Sequence, residues 1–220
     1  MNTSRTLTRR VYDASWGRLF AAGYERALAD TENAGLRDRR RALLAEAEGR
    51  TLELGSGTGL NLPHYPAAVG ELILAEPFEP MAGRLRERVA AAERPAQVIV
   101  APAERLPIES GSVDTVVVTL VLCTVDDVGA ALGEIARVLR PGGQLLFIEH
   151  VRSRNADLAR WQDRLERPWR FVGHGCHCNR DTLAAIEASP LAVAQVERGR
   201  MPKAPAIARP LIQGSARRSS

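Results

Sequence analysis

The chain has 220 residues, 45% of them hydrophobic and 25% charged, which is ordinary for one folded domain with its own core. Its formal net charge of +4 comes from 30 basic and 26 acidic residues that are interspersed, which excludes a dedicated nucleic-acid groove. It has no apolar run of membrane-spanning length, no secretory signal and only three cysteines, so we expect a cytoplasmic protein with reduced thiols.

Residues 1–48 are predicted to form a helical cap. Aromatic side chains recur there at every fourth position: Tyr12, Trp16, Phe20 and Tyr24. Such a stripe is typical of a helix docked on a core, but it also suits a pocket lid or a helix lying on a membrane. Basic clusters at 4–10 and 216–220 either stay solvated or make weak peripheral contact with acidic lipid headgroups.

Short apolar runs alternate with helical stretches over residues 49–150. The predicted strands are 51–55, 71–76, 96–101, 112–120 and 143–150. The predicted helices between them are 60–68, 80–92 and 127–139. Near-continuous apolar strands separated by helices indicate a parallel sheet covered on both faces, so this region is predicted to be a doubly wound α/β core.

The region 151–220 begins with a predicted amphipathic helix that is broken near Pro168. Its apolar face is expected to contain Leu158, Trp161, Leu165 and Trp169. A short helix near 181–188 and strands at 191–200 and about 206–213 follow. The last two strands suggest an antiparallel hairpin at one sheet edge, giving a single domain over residues 1–220 with a mostly parallel seven-stranded sheet.

The strongest chemical signal is the glycine-rich turn "LELGSGTG" at residues 52–59, which follows the opening of the first strand. Glycines let the chain turn sharply and let its backbone approach a ligand. The spacing is G-x-G-x-G, with Glu53 just before it, and Leu60 replaces the third glycine of the dinucleotide fingerprint. Glu76 ends the second strand, where a carboxylate can accept ribose hydroxyls.

These residues resemble the class I S-adenosylmethionine-dependent methyltransferases. The first motif is "LELGSGTG" and the second is "LAEP"; "APAERLP", "VDTVVVTLVLCTV" and "RVLRPGGQLLFIEH" are similar to the later ones. Within that family, "TLVLCTV", "IEHV", Gly175–Cys176 followed by Arg180, and "RPLIQG" resemble the alkyl thiol S-methyltransferase group. The chain is also similar to methyltransferases of phosphatidylethanolamine or quinone precursors.

The resemblance implies S-adenosyl-L-methionine as the cofactor. The turn and Glu53 would hold its methionine part, Glu76 its ribose and Met81 its adenine. The residues implied as cofactor-binding are Tyr12, Glu53, Gly55, Ser56, Gly57, Thr58, Gly59, Asn61, Glu76, Pro77, Met81, Ala103, Glu104, Thr119 and Leu120.

The acceptor is predicted to be a small apolar or amphiphilic molecule, with a thiol the first candidate. Methyl transfer chiefly needs alignment and exclusion of water, and a hydroxyl or ring-carbon acceptor would also need a base. His150 is the first candidate base, with His174 and His177 next. The alternatives are a phospholipid N-methyltransferase, a quinone or phenol methyltransferase, and a binding protein without turnover.

The segment "GHGCHC" at residues 173–178 gathers two histidines and two cysteines. Cys176, His177 and Cys178 are consecutive, and successive side chains of an extended backbone point to opposite faces, so one metal ion could hardly take all three and no metal site is predicted. A thiol nucleophile is not expected either, because the methyl group passes directly to the acceptor. The prediction is a pocket loop over the acceptor.

Overall fold

The computed structural model describes residues 17–219, so Tyr12 and Trp16 lie outside the described residues. The strands are β1 (Gly49–Leu54), β2 (Val69–Ala75), β3 (Gln97–Ile99), β4 (Val113–Thr119), β5 (Leu139–His150), β6 (Leu191–Arg200) and β7 (Pro210–Arg218). The helices are α1 (Arg18–Thr31), α2 (Arg37–Leu44), α3 (Glu79–Ala90), α4 (Val128–Val138), α5 (Ala156–Val172) and α6 (Thr182–Glu187).

The strands form one sheet in the order β3-β2-β1-β4-β5-β7-β6. β1 to β5 are parallel, and β7 is antiparallel to both β5 and β6. The predicted doubly wound, mostly parallel seven-stranded sheet with a late hairpin is confirmed. The hairpin enters the sheet in reverse, because β7 pairs with β5 and leaves β6 at the edge.

Alternating side chains of the central strands supply the two faces of the core. Leu52 and Phe147 pack on one face with helices α4 and α6, and Leu74 and Ile148 pack on the other with α2 and α3. This two-sided burial explains why the strands read as continuous apolar runs. It also leaves the strand ends as the place where polar side chains collect.

The predicted helix at 60–68 is wrong. The structure has one 3₁₀ turn, Leu62–His64, followed by Tyr65 in an extended conformation with ψ 130°. Pro66 explains the early end, because proline disfavours a helical conformation at the residue before it and has no N–H to donate. A short connection therefore leads from the glycine-rich turn to β2.

The predicted break at Pro168 is also wrong, since α5 continues through Pro168 to Val172. Arg164, whose carbonyl loses its helical partner, is exposed, so water can satisfy that carbonyl. The buried face of α5 centres on Ala159 and Gln162, whereas Trp161 is 52% exposed beneath the guanidinium of Arg164.

Helices α1 and α2 are joined by a π-helical segment, Glu32–Leu36, with a kink at Gly35, whose φ is 127°. The kink turns the chain so that α2 packs on the sheet while α1 lies over the strand ends. No helix within residues 17–219 combines the length and hydropathy needed to cross a membrane.

Candidate active site

The glycine-rich turn connects β1 to the short 3₁₀ turn and places backbone at the carboxyl end of the sheet. Gly55 and Gly57 have φ values of 59° and 57°, which favour glycine. A Cβ at Gly55 would lie 2.6 Å from a methyl of Val121, so the chain has no room for a side chain there. A Cβ at Gly57 would meet nothing closer than 3.9 Å, so its absence keeps space open above the turn.

Glu53 is the acidic residue at the centre of this site and is 1% exposed. Its carboxylate accepts hydrogen bonds from Tyr65 Oη at 2.8 Å and Asn61 Nδ2 at 2.9 Å. Burial raises the pKa of Glu53 to about 7, although these two donors and the charge of Arg40 oppose the rise. The carboxyl therefore titrates near neutral pH and gains from any further cation placed beside it.

Arg40, from α2, is a site residue that sequence reasoning missed. It is 3% exposed, and its guanidinium donates to Glu32 Oε1 at 2.9 Å, Asn61 Oδ1 at 3.0 Å and Thr119 Oγ1 at 2.9 Å. Asn61 also donates to Thr119, so one network joins the cap, the glycine-rich turn and the end of β4. A charged residue in a helix rich in arginine gives no sequence signal of burial.

Glu76 follows β2, as predicted, and is 5% exposed. One oxygen accepts from the backbone N–H of Gly57 at 2.8 Å and the other from that of Phe78 at 2.8 Å. Burial raises the pKa of Glu76, and the two backbone donors oppose the rise. Each oxygen keeps a lone pair, so the carboxylate can accept from a vicinal diol while it fixes the turn.

Other predicted cofactor residues within residues 17–219 lie around the same end of the sheet. Met81 and Ala103 are 6% and 7% exposed, and Glu104 accepts from Asp126 N at 2.9 Å, which ties the segment after β3 to the segment after β4. Ser56, Thr58, Asn61 and Thr119 are buried. Leu120 has φ 62°, a conformation rare for leucine, and donates its N–H to Ile148 O.

Side chains from the cap and from the loop after α5 cover this end of the sheet. The His174 imidazole stacks on Phe20 with centroids 5.1 Å apart and lies 4.7 Å from the Phe78 ring. Tyr24 lines a narrow cavity of about 10 Å³ together with Arg40, Glu53 and the glycine-rich turn. Of the three interpretations of the aromatic stripe, these contacts favour the pocket lid.

His150 ends β5, as predicted, and is 4% exposed. Its Nε2 lies 2.7 Å from Cys176 Sγ, and Trp169 Nε1 donates to the same sulfur at 3.0 Å. Its Nδ1 is buried without a hydrogen-bond partner among the described residues. Hydrogen bonding to Cys123 and the charge of His150 lower the pKa of Cys176, and the pKa of Cys123 is raised in turn.

Glu149 explains why Cys123 lies beside this pair. Its buried carboxylate accepts from the backbone N–H groups of Val121 and Leu122 at 2.8 and 2.9 Å and from that of Cys123 at 3.2 Å. The turn after β4 is therefore fixed by β5, and it presents the Cys123 thiol to His150 and Cys176. The three potential ligand atoms lie within 4.8 Å of one another, and all three residues are buried.

The other members of "GHGCHC" point elsewhere. His177 Nδ1 lies 2.9 Å from Glu166 Oε1 of α5, and burial lowers its pKa. Cys178 is fully buried, and its thiol contacts Gln162 O at 3.7 Å. The three consecutive residues thus contact different partners, and Cys176 meets two residues that are distant in sequence.

The chain is similar to known proteins in sequence and in fold. A protein-family model described as "Methyltransferase domain" matches residues 52–147. The chain is 35% identical to thiol S-methyltransferase TMT1B of Homo sapiens over 184 residues, which cover 78% of this chain and 75% of that one. It is 34% identical to human thiol S-methyltransferase TMT1A, over 75% of this chain and 69% of that one. The chain belongs to the class I S-adenosylmethionine-dependent methyltransferases.

Solved structures agree on the fold of this class I methyltransferase. A SAM-dependent methyltransferase from Thermotoga maritima superposes with a TM-score of 0.67 at 22% identity, covering 92% of this chain and 97% of that one. One from Mesorhizobium loti superposes with a TM-score of 0.59 at 21% identity, covering 81% of this chain and 95% of that one.

Proposed function

We propose that the protein transfers a methyl group from S-adenosyl-L-methionine to the sulfur of a small apolar or amphiphilic thiol. The observation that carries the choice of acceptor is the 35% identity with a thiol S-methyltransferase over 75% of that relative. The buried acidic residues at the ends of β1 and β2 support the choice of cofactor, because they suit an ammonium group and a ribose.

The residues of the site fit that cofactor. Glu53 would accept hydrogen bonds from the ammonium group of its methionine part, and Glu76 would accept them from its ribose hydroxyls. The space that a side chain at Gly57 would fill lies next to Met81 and Tyr24. The cavity of about 10 Å³ is far below the roughly 300–1,000 Å³ of small-molecule sites, so we expect the α1 lid to shift when the cofactor enters.

When bound, the cofactor supplies a methyl carbon activated by a positive sulfur. The protein then has to align the acceptor with that carbon and exclude water. The rings of Phe20, Tyr24 and Phe78 provide apolar surface for both tasks. A free thiol has a pKa of about 8.5, so part of it is already thiolate near neutral pH, and a strong base is not required. The roles of His150, His174 and His177 as bases stay predictions.

An acceptor panel tests the proposal. The full chain is incubated with methyl-labelled cofactor and, separately, with an alkyl thiol, a phenol, a quinol and phosphatidylethanolamine vesicles. We expect labelled thioether from the thiol at a rate at least about tenfold above the other acceptors, with the Gly57→Leu variant inactive because its side chain fills the cofactor space. Methylation of the lipid or the quinol in preference to every thiol would contradict the thiol assignment.

A further inference from the structure

Cys123, His150 and Cys176 form a buried cluster that the cofactor site does not use. They come from three separate segments: the turn after β4, the end of β5 and the loop after α5. Their Sγ and ring-nitrogen atoms all lie within 4.8 Å of one another. Two thiols and an imidazole are the ligand types that Zn²⁺ prefers, and three protein ligands with one open position are the pattern of catalytic rather than structural zinc sites.

We propose that Cys123, His150 and Cys176 bind a zinc ion and leave its fourth position for the thiol acceptor. Bonds of about 2.3 Å to sulfur and 2.0 to 2.1 Å to nitrogen at tetrahedral angles put ligand atoms about 3.5 to 3.8 Å apart. The 2.7 Å contact between His150 and Cys176 is shorter than this, and the 4.8 Å limit on the other pairs is longer. Side-chain movements of about 1 Å therefore suffice to hold the ion.

Charge and burial agree with a zinc ion. Two thiolates balance its double positive charge, and the imidazole binds as a neutral ligand, so the ion with its three protein ligands carries no net charge in a buried position. The carboxylate of Glu149, beside the cluster, is held by the backbone N–H groups of Val121, Leu122 and Cys123. Glu149 therefore fixes a ligand instead of binding the ion itself.

Neighbouring residues hold the ligands in place. Trp169 Nε1 donates to Cys176 Sγ at 3.0 Å, and the backbone N–H of His177 donates to Cys123 O at 2.8 Å. Arg180 Nη1 donates to Leu122 O at 2.5 Å and Val125 O at 2.8 Å, which also fixes the turn after β4. Such outer contacts orient metal ligands and donate to bound thiolates.

The role of the ion rests on the proposed thiol acceptor. A thiol that binds at the open position loses its proton to solvent and binds as thiolate, because a metal-bound thiol is deprotonated. The sulfur lone pair then forms the new S–C bond as the methyl–sulfonium bond breaks, and the departing sulfur keeps that bond's electron pair. The thioether product is neutral and a weaker ligand than the thiolate, which favours its release.

Titration with Co²⁺ tests the metal site in the full, reduced chain without cofactor or acceptor. We expect one Co²⁺ per chain, with thiolate-to-cobalt charge-transfer absorption and the visible bands of a tetrahedral site, both displaced by Zn²⁺. Cys123→Ser and Cys176→Ser should each weaken binding more than about tenfold. Cys178→Ser is the matched control, because Cys178 is buried nearby but bonds Gln162 O, and its titration should match the wild type.

Alkylation of the wild-type chain gives a result that does not depend on how the variants fold. Zn²⁺ should slow the reaction of Cys123 and Cys176 with iodoacetamide and leave that of Cys178 unchanged, as read by mass spectrometry of the peptides. Absence of Co²⁺ binding below millimolar concentration, or equal protection of all three cysteines, would overturn the site.

The role has its own test. If chelator-stripped protein loses thiol methylation and regains it with one equivalent of Zn²⁺, the role is supported, and an unchanged rate would overturn it. Methylation of a thiol by metal-free protein would leave the proposed function standing. Metal binding without methylation of any thiol would leave the site standing instead, so the two failures are distinguishable.

Discussion

Glu53 gives the site its predicted pH dependence. Its folded-state pKa is raised to about 7, so the protonated form stabilises the free protein at low pH, and this contribution is lost as pH rises through about 7. Tyr65, Arg40 and Glu76 are the other titratable or charged groups that face it. A cofactor ammonium beside the carboxyl favours its ionised form and so binds with release of a proton at low pH.

We expect the affinity for S-adenosylmethionine to rise by up to about tenfold between pH 6 and pH 8. Calorimetry at about pH 6 in buffers of different ionisation enthalpy should report the released proton. Glu53→Gln should bind the cofactor more weakly and lose the pH dependence. Glu109→Gln, at an exposed position, should keep the wild-type affinity and its pH dependence. A pH-independent affinity in the wild type would contradict the assignment of Glu53.

Arg40 and its neighbour Arg39 form a matched pair for a stability test. Arg40 pairs with Glu32 inside the protein, with both side chains under 10% exposed, whereas Arg39 pairs at the surface with Glu197. Arg40→Met leaves the Glu32 charge buried without its partner, which should lower the free energy of unfolding by about 3–5 kcal/mol. Arg39→Met should cost about 0–1 kcal/mol in the same urea titration, and equal losses would contradict the network.

The sequence predicts that Glu53 and Glu76 are site residues, but it does not predict the residues that bond to the buried site. Glu53 and Glu76 could be predicted because each ends an apolar strand, and strand ends meet at one edge of a parallel sheet. Arg40 and Glu149 could not be predicted, because a charged residue is normally solvated, and only tertiary structure shows the groups that compensate its burial. The pairing of Cys123 with Cys176 was invisible for the same reason, since the two lie far apart in the chain.

The kink at Gly35 is the element-scale feature on which the lid depends. Its φ of 127° is open to glycine and strained for other residues, and the kink lets α1 lie over the site while α2 packs on the sheet. Gly35→Ala should lower the free energy of unfolding by about 1–2 kcal/mol and weaken cofactor binding. Gly23→Ala, in the middle of α1 with no atom within 4 Å of the added Cβ, should be neutral or stabilising.

Urea titration and calorimetry on the two glycine variants check this prediction. If Gly35→Ala matched Gly23→Ala in both measurements, the kink would not be needed to place the lid.

Periodicity predicted the order and type of the elements, and proline was its main source of error. The bounds of the two strands predicted at 71–76 and 191–200 lie within two residues of those of β2 and β6, because burial on a sheet leaves a strong apolar pattern. The helix at 60–68 failed because Pro66 stops it, and the break at Pro168 failed because that proline faces solvent. The effect of a proline thus depends on its surroundings, which the sequence does not state.

Some large apolar side chains are exposed on the surface of the protein. Leu19, Phe171 and Val172 are 62%, 58% and 52% exposed, and their segments meet where His174 stacks on Phe20. Several arginines of α5, including Arg167 and Arg170, are nearby in the chain. The sequence predicts weak peripheral contact with anionic lipid through the terminal basic clusters and the N-terminal aromatic helix, and we expect this apolar face to take part in it.

Sedimentation with anionic vesicles tests this contact. A few per cent to some tens of per cent of the protein should pellet at low salt, and less at high salt, because screened charges attract weakly. Phe171→Ser with Val172→Ser should reduce the fraction, while Val196→Ser, at an exposed position on the edge strand β6, should not. Equal sedimentation with neutral and anionic vesicles would contradict an electrostatic contribution.

We expect the end of the sheet that carries Glu53 and Glu76 to bind S-adenosylmethionine as the methyl donor. Calorimetric titration of the wild type, Glu76→Ala and Glu109→Ala with this cofactor tests it most directly. We predict binding in the micromolar range for the wild type and Glu109→Ala, and a loss of at least about tenfold for Glu76→Ala, since a buried charge-assisted pair of hydrogen bonds is removed. Absence of binding at millimolar cofactor, or unchanged binding in Glu76→Ala, would contradict the assignment of this end of the sheet as the cofactor site.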